Sequence, residues 1–109
     1  MYVFTMSDVT DLSDKVELLT DSYAKEILAG CYERPKTAQQ ISWEHNIPIA
    51  ATYRRLNDLH EVGLLEEIES EDSSATKYKT ALDKAILTFE DGKFTIEMKL
   101  GEDELETEF

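Results

Sequence analysis

Apolar residues recur at helical spacing along the first 63 positions of this chain and alternate beyond them. Leu12, Val16 and Leu19 make one stripe within the polar, acidic stretch Asp8 to Asp21, which predicts a short packing or dimer-contact helix. Ala24, Ile27, Leu28 and Cys31 fall on one face of a second helix. Asp21 or Ser22 can cap this helix, and Pro35 stops it. Thr37-Ala38-Gln39-Gln40 has the form of a capping box and opens a third, short helix anchored by Ala38 and Ile41. That helix ends at Asn46, a residue that tolerates the left-handed conformation. After the turn Ile47-Pro48-Ile49 a fourth helix follows, with Thr52, Leu56, Leu59 and Val62 inward and Gly63 at its end.

Beyond Gly63 the period changes. Leu65, Ile68 and Tyr78 lie on extended segments around the polar tip Glu69 to Ser74, which predicts a hairpin with a long loop. Ala85, Leu87 and Phe89 alternate up one arm of a second hairpin, and Phe94, Ile96, Met98 and Leu100 down the other. Asp91-Gly92 supplies the turn between them. Residues 101–109 hold five acids and read as a frayed tail. The expected organisation is an N-terminal extension and helix over 1–20, a main domain over 21–82, a β-hairpin over 83–101 and an acidic tail over 102–109.

Composition narrows the class. No apolar run approaches the length of a membrane span, and Met1 to Met6 lack the basic and apolar regions of a secretory signal, so a cytoplasmic location is expected. A single cysteine, Cys31, excludes an internal disulfide framework and a multi-cysteine zinc site. Its place on a buried stripe predicts core packing rather than redox chemistry. His45 and His60 are too isolated to be credited as metal ligands. With four glycines there is no phosphate loop, and no nucleophile and base stand at a recognisable spacing. The carboxylates run along surfaces, so neither an enzyme nor a bound cofactor is expected.

Two helices joined by a tight turn are the geometry of a helix-turn-helix, whose second helix enters the major groove of DNA. An ordinary helical hairpin has the same spacing. The residues Ile27-Leu28, Thr37-Ala38, Ile41, Ile47-Pro48, Tyr53-Arg54-Arg55-Leu56, Leu59, Val62-Gly63-Leu64-Leu65 and Tyr78 resemble the ArsR-like winged helix-turn-helix regulators of euryarchaea. The resemblance spans about Tyr23 to Thr80, and the final hairpin is similar to one appended in several archaeal members. It implies an α+β fold: an N-terminal helix, a three-helix core, a β wing and an additional C-terminal β-hairpin. It also implies a DNA-binding regulator that inserts helix 48–62 into the major groove as a homodimer, with the Leu12/Val16/Leu19 stripe and the arms of the last hairpin as dimer elements. Two departures are plain. The recognition helix lacks the cysteine pair of metal-sensing members, and the wing tip is acidic, with Lys77 and Lys79 only on the returning strand.

The net charge of −13 opposes that reading, because phosphate neutralisation supplies most nonspecific affinity. The acids cluster elsewhere, however. Between Arg34 and His60 four cations (Arg34, Lys36, Arg54, Arg55) face two acids (Glu44, Asp58). The expected DNA-contacting set is Lys36, Thr37, Ile49, Ala50, Ala51, Tyr53, Arg54, Arg55, Asn57 and Lys77. An exposed Arg there can pair with guanine or clamp a phosphate, and the small residues permit close approach. The bland reading of Arg54 and Arg55 is a solvated helix face with one of them paired to Asp58. The functional alternative is an acidic winged-helix interaction module that docks a basic transcription factor or mimics DNA. Trp43, on the outer side of the short helix, would be its anchor or else be partly covered by a neighbouring element.

Overall fold

The computed structural model describes residues 2–5, 16–69 and 75–101. Leu12, the tip Ser70 to Ser74 and the tail 102–109 lie outside the described residues. The elements in chain order are β1 (Tyr2–Thr5), a helical segment α1 (residues 16–20), α2 (Ser22–Glu33), β2 (Lys36–Thr37), α3 (Ala38–His45), α4 (Ile49–Glu61), β3 (Leu65–Ile68), β4 (Lys77–Thr80), β5 (Leu82–Glu90) and β6 (Lys93–Leu100). They form an α+β fold with two antiparallel three-stranded sheets, ordered β2-β4-β3 and β1-β6-β5.

The helices begin and end where local chemistry dictates. Asp21 caps α2 by accepting from the Ala24 N–H at 3.0 Å. At α3 both halves of the capping box are made: Thr37 Oγ1 accepts from the Gln40 N–H at 3.1 Å, and the Thr37 N–H donates to Gln40 Oε1 at 2.8 Å. Asn46 ends α3 in the left-handed region (φ 56°), and the Ser42 hydroxyl closes the turn by donating to the Ile47 carbonyl at 2.5 Å. Pro48 takes the N-cap position of α4, so Ile49 is its first helical residue. Gly63 (φ 86°) follows the cap at Val62 and lets the chain reverse into β3.

Helix faces and strands meet in one core of Ala24, Ile27, Leu28, Cys31, Ala38, Ile41, Ile47, Leu56, Leu59, Leu64, Leu65, Tyr78, Ile96 and Met98. All four residues of the expected α2 stripe are in it, as are Leu56 and Leu59 of α4; Val62 packs against it half-buried. Two buried threonine hydroxyls find backbone partners. Thr80 Oγ1 donates to the Leu28 carbonyl at 2.7 Å, tying β4 to α2, and Thr52 Oγ1 donates to Pro48 O at 3.1 Å.

Two strands have no counterpart in the sequence reading. β2 pairs with β4 (Lys36↔Tyr78, Thr37↔Lys77), and β1 pairs with β6 (Tyr2↔Met98 through Thr5↔Thr95). The last hairpin has the expected Asp91-Gly92 turn, both residues at positive φ (54° and 74°), as a type I′ turn requires. Its arms are unequally buried, though. Ile96 and Met98 of β6 reach the core, whereas every residue of β5 from Asp83 to Glu90 is exposed. Among the described residues no helix is long and apolar enough to cross a membrane.

Candidate nucleic-acid interface

Helix α4 buries Thr52, Leu56 and Leu59. Its opposite side carries Ile49, Ala50, Tyr53, Arg54 and Asn57, at relative spacings of 0, 1, 4, 5 and 8, which is one face of a 3.6-residue period. All five are exposed, with Ile49 at 44% and Tyr53 at 47%. The first turns of α3 and α4 and the returning strand β4 frame this face. Thr37, Ala38, Gln39, Tyr53, Ala75, Thr76 and Tyr78 line a cleft of about 180 Å³ between them. Lys77 is half-buried on β4, between Ile68 of β3 and Thr37 of β2 in the strand register.

The rest of the expected set goes elsewhere. Lys36 is buried, 4% exposed, with its Nζ 2.7 Å from Glu44 Oε1, so its charge is committed inside the protein. Arg34 Nη2 approaches the other oxygen of the same carboxylate, Oε2, at 3.3 Å. Arg55 turns away from the exposed face toward the start of α2: its Nε donates to Asp21 Oδ2 at 2.8 Å and its Nη2 to Oδ1 at 3.3 Å. Ala51 is half-buried against the core. Thr37 is half-buried, its hydroxyl and N–H both engaged in the capping box. Tyr53, Arg54, Arg55 and Lys36 therefore do not share one exposed face.

The electrostatics follow this pairing. Asp21 is held below the ordinary carboxylate range, chiefly by the hydrogen bond from Arg55 and then by the Ala24 N–H. Glu44 is lowered likewise, first by the hydrogen bond from Lys36. The local excess of four cations over two acids is thus largely cancelled. Arg54 is the one Lys or Arg between Arg34 and His60 that forms no ion pair among the described residues. Sequence reasoning missed Asp21 and Glu44 as the partners that withdraw Arg55 and Lys36. Asp21 lies 34 positions from Arg55, outside any helical or strand period, and its own neighbourhood in the sequence marks it only as a cap.

Cys31 is buried and desolvation raises its thiol to about 11. Among the described residues no group of three or more His, Cys, Asp or Glu is arranged to hold a metal ion. Trp43 is the most exposed large apolar residue described, at 85%, and borders a shallow groove with Gln39, Ser42, Asn46, Ile47, Pro48 and Ile49. Neither the models of known protein families nor the curated proteins compared with the chain match it.

Proposed function

We propose that the chain is a winged helix-turn-helix DNA-binding transcription regulator of the ArsR-like type, acting as a homodimer, with α4 as its recognition helix. The element order α2-β2-α3-α4-β3-β4, with sheet order β2-β4-β3, supports the winged-helix assignment. The observation that carries the function is the uncovered face of α4: Ile49 and Ala50 at its first turn, then Tyr53, Arg54 and Asn57. Small and apolar residues at the leading end allow the helix to approach base edges and thymine methyls. Arg54 suits bidentate recognition of guanine or a phosphate clamp, and Asn57 suits an adenine edge. Lys77 supplies a phosphate contact from the wing side.

With Arg34, Lys36 and Arg55 paired internally, about two phosphate contacts remain per protomer. The salt dependence should therefore be shallow, a slope of roughly −2 per protomer at about 0.9 per phosphate. The test is fluorescence anisotropy with the chain's own upstream duplex and a scrambled duplex, across a salt series. Arg54→Ala should weaken binding and flatten the slope by about one per protomer. An unchanged affinity in Arg54→Ala, or no binding at low salt, rejects the proposal.

One observation favours the second reading, docking of a basic protein partner. Trp43 at 85% exposure beside Pro48 and Ile49 is an apolar patch on a strongly acidic molecule. Trp43→Ala would leave DNA affinity unchanged and abolish capture of a basic transcription factor if that reading holds.

A further inference from the structure

The outer edge of β5 is an unusual surface. β5 is nine residues long, contains no proline, ends its sheet, and is exposed from Asp83 to Glu90. Natural sheets ordinarily blunt such edges, because unpaired N–H and C=O groups template another strand. Glu90 and Lys93 flank the two-residue turn as a hydrogen-bonded pair, so alternation aims the backbone groups of Ala85, Leu87 and Phe89 outward along that edge. The same three side chains lie on the apolar face of the sheet, opposite Met98, Ile96 and Phe94. Leu87 is 52% exposed, Phe89 61% and Phe94 41%, and the two phenyl rings meet at 4.7 Å.

We propose that this edge pairs with β5 of a second copy of the chain, antiparallel about a two-fold axis at Leu87, joining the two β1-β6-β5 sheets into one. The inference rests on the homodimer in the functional reading above and names its interface; it does not depend on DNA binding.

Three features select a second copy and this register. Centred on Leu87, the pairing sets Lys84 beside the partner's Glu90 and, by symmetry, Glu90 beside the partner's Lys84. Within one chain Lys84 stands across from Lys99, a like charge, so the partner's carboxylate complements it. Centring one residue earlier puts Phe89 against Asp83, and one residue later puts Ile86 against Glu90, with no directly opposed ion pair in either case. Second, the same register lays the partner's Phe89 beside Ala85. Ala85 there lines an apolar cleft of about 240 Å³ with Val16, Leu19, Thr20, Leu87 and Ile96, open to receive a ring. Third, residues 82–100 carry three lysines and four acids, a net −1, while the other ninety residues carry −12. A segment this close to neutral meets little of the like-charge repulsion that the rest of the acidic chain would impose on self-association.

Sedimentation equilibrium of the full chain without DNA tests the interface. A concentration-dependent dimer is expected, and a chain that stays monomeric to about 1 mM overturns the proposal. Lys84→Glu and Glu90→Lys, both on exposed residues, should each raise the dimer dissociation constant about tenfold, and the double exchange should restore it. Dimerisation indifferent to all three variants overturns the register. Leu87→Pro removes an N–H that the hairpin itself does not use and should give a folded monomer, checked by circular dichroism. Cysteine scanning reads the axis directly. Leu87→Cys should form a disulfide-linked dimer on mild oxidation. Phe89→Cys alone should not, whereas Phe89→Cys mixed with Ala85→Cys should. Cross-linking through Phe89→Cys alone overturns edge pairing in favour of face-to-face stacking. Loss of DNA binding with the dimer intact would reject only the recognition-helix reading.

Discussion

Arg55 and Lys36 carry charge that the fold uses internally, and Arg54 carries charge that it leaves outside. The difference sets the pH response. Asp21 and Glu44 have folded-state pKa values depressed below their unfolded ones. Their contribution to stability is therefore fully present above the unfolded carboxylate value, near 4, and is lost as pH falls through the lower folded values. Asp21→Asn keeps an oxygen for the α2 cap while removing the charge that Arg55 grips. Urea unfolding should find it less stable than wild type at pH 7, with the gap closing below about pH 4. A gap that persists into acid would mean that the pair acts by geometry alone. Cys31 gives a second residue-scale expectation. Buried, with its thiol raised to about 11, it should resist alkylation by iodoacetamide at pH 8 in the folded protein and react once unfolded. Its stripe position made that burial legible in the sequence. The Arg55–Asp21 and Lys36–Glu44 pairs were not legible, because only the fold brings the start of α2 to α4 and β2 to α3.

Element by element, legibility followed locality. The capping box, the left-handed Asn46, the Gly63 reversal and the Asp91-Gly92 turn are chemistry within four or five residues, and each stands where the sequence reads it. β2 has two residues and thus no period to detect, and β1 exists through its ladder to residues ninety or more positions away. The Thr37 box permits a direct measurement. Thr37→Ala should cost about 1 kcal/mol by removing the oxygen that caps α3. Its effect on DNA affinity should be no greater than the lost helix start explains. Helix α2 makes a different demand at Gly30. A Cβ there would stand 2.7 Å from His45 Nε2 and 3.1 Å from Lys36 Nζ. The His45 ring is held at that spot by its Nδ1, 3.1 Å from Glu26 Oε1, with Nε2 buried and without a hydrogen-bond partner. Alanine would otherwise gain up to about 1 kcal/mol over glycine in a helix interior. That gain should be absent in Gly30→Ala and appear once His45→Ala clears the space, a coupling of about 1 kcal/mol between the sites by denaturant titration. Additive effects would show that the ring swings aside without cost.

At the scale of the whole molecule the net charge of −13 on 12.5 kDa is the dominant force not resolved into contacts. Like-charge repulsion opposes the compact state, and salt shortens its reach from about 10 Å at 0.1 M to about 3 Å at 1 M. The internal pairs, at 2.7 and 2.8 Å, are close and partly sheltered, so screening weakens them less than it relieves the diffuse repulsion. Raising KCl through that range should therefore raise the thermal midpoint, read by circular dichroism, by several degrees. Two other properties respond differently to the same titration. DNA affinity through Arg54 and Lys77 should fall, since counterion release loses its advantage. Pairing through β5 should hold or strengthen, because its contacts are backbone hydrogen bonds and apolar side chains on a nearly neutral segment, with the Lys84–Glu90 pairs a minor share. A midpoint that falls with salt would show instead that specific ion pairs outweigh the net repulsion. The paired cations Arg34, Lys36 and Arg55 would then be the main electrostatic support of the fold.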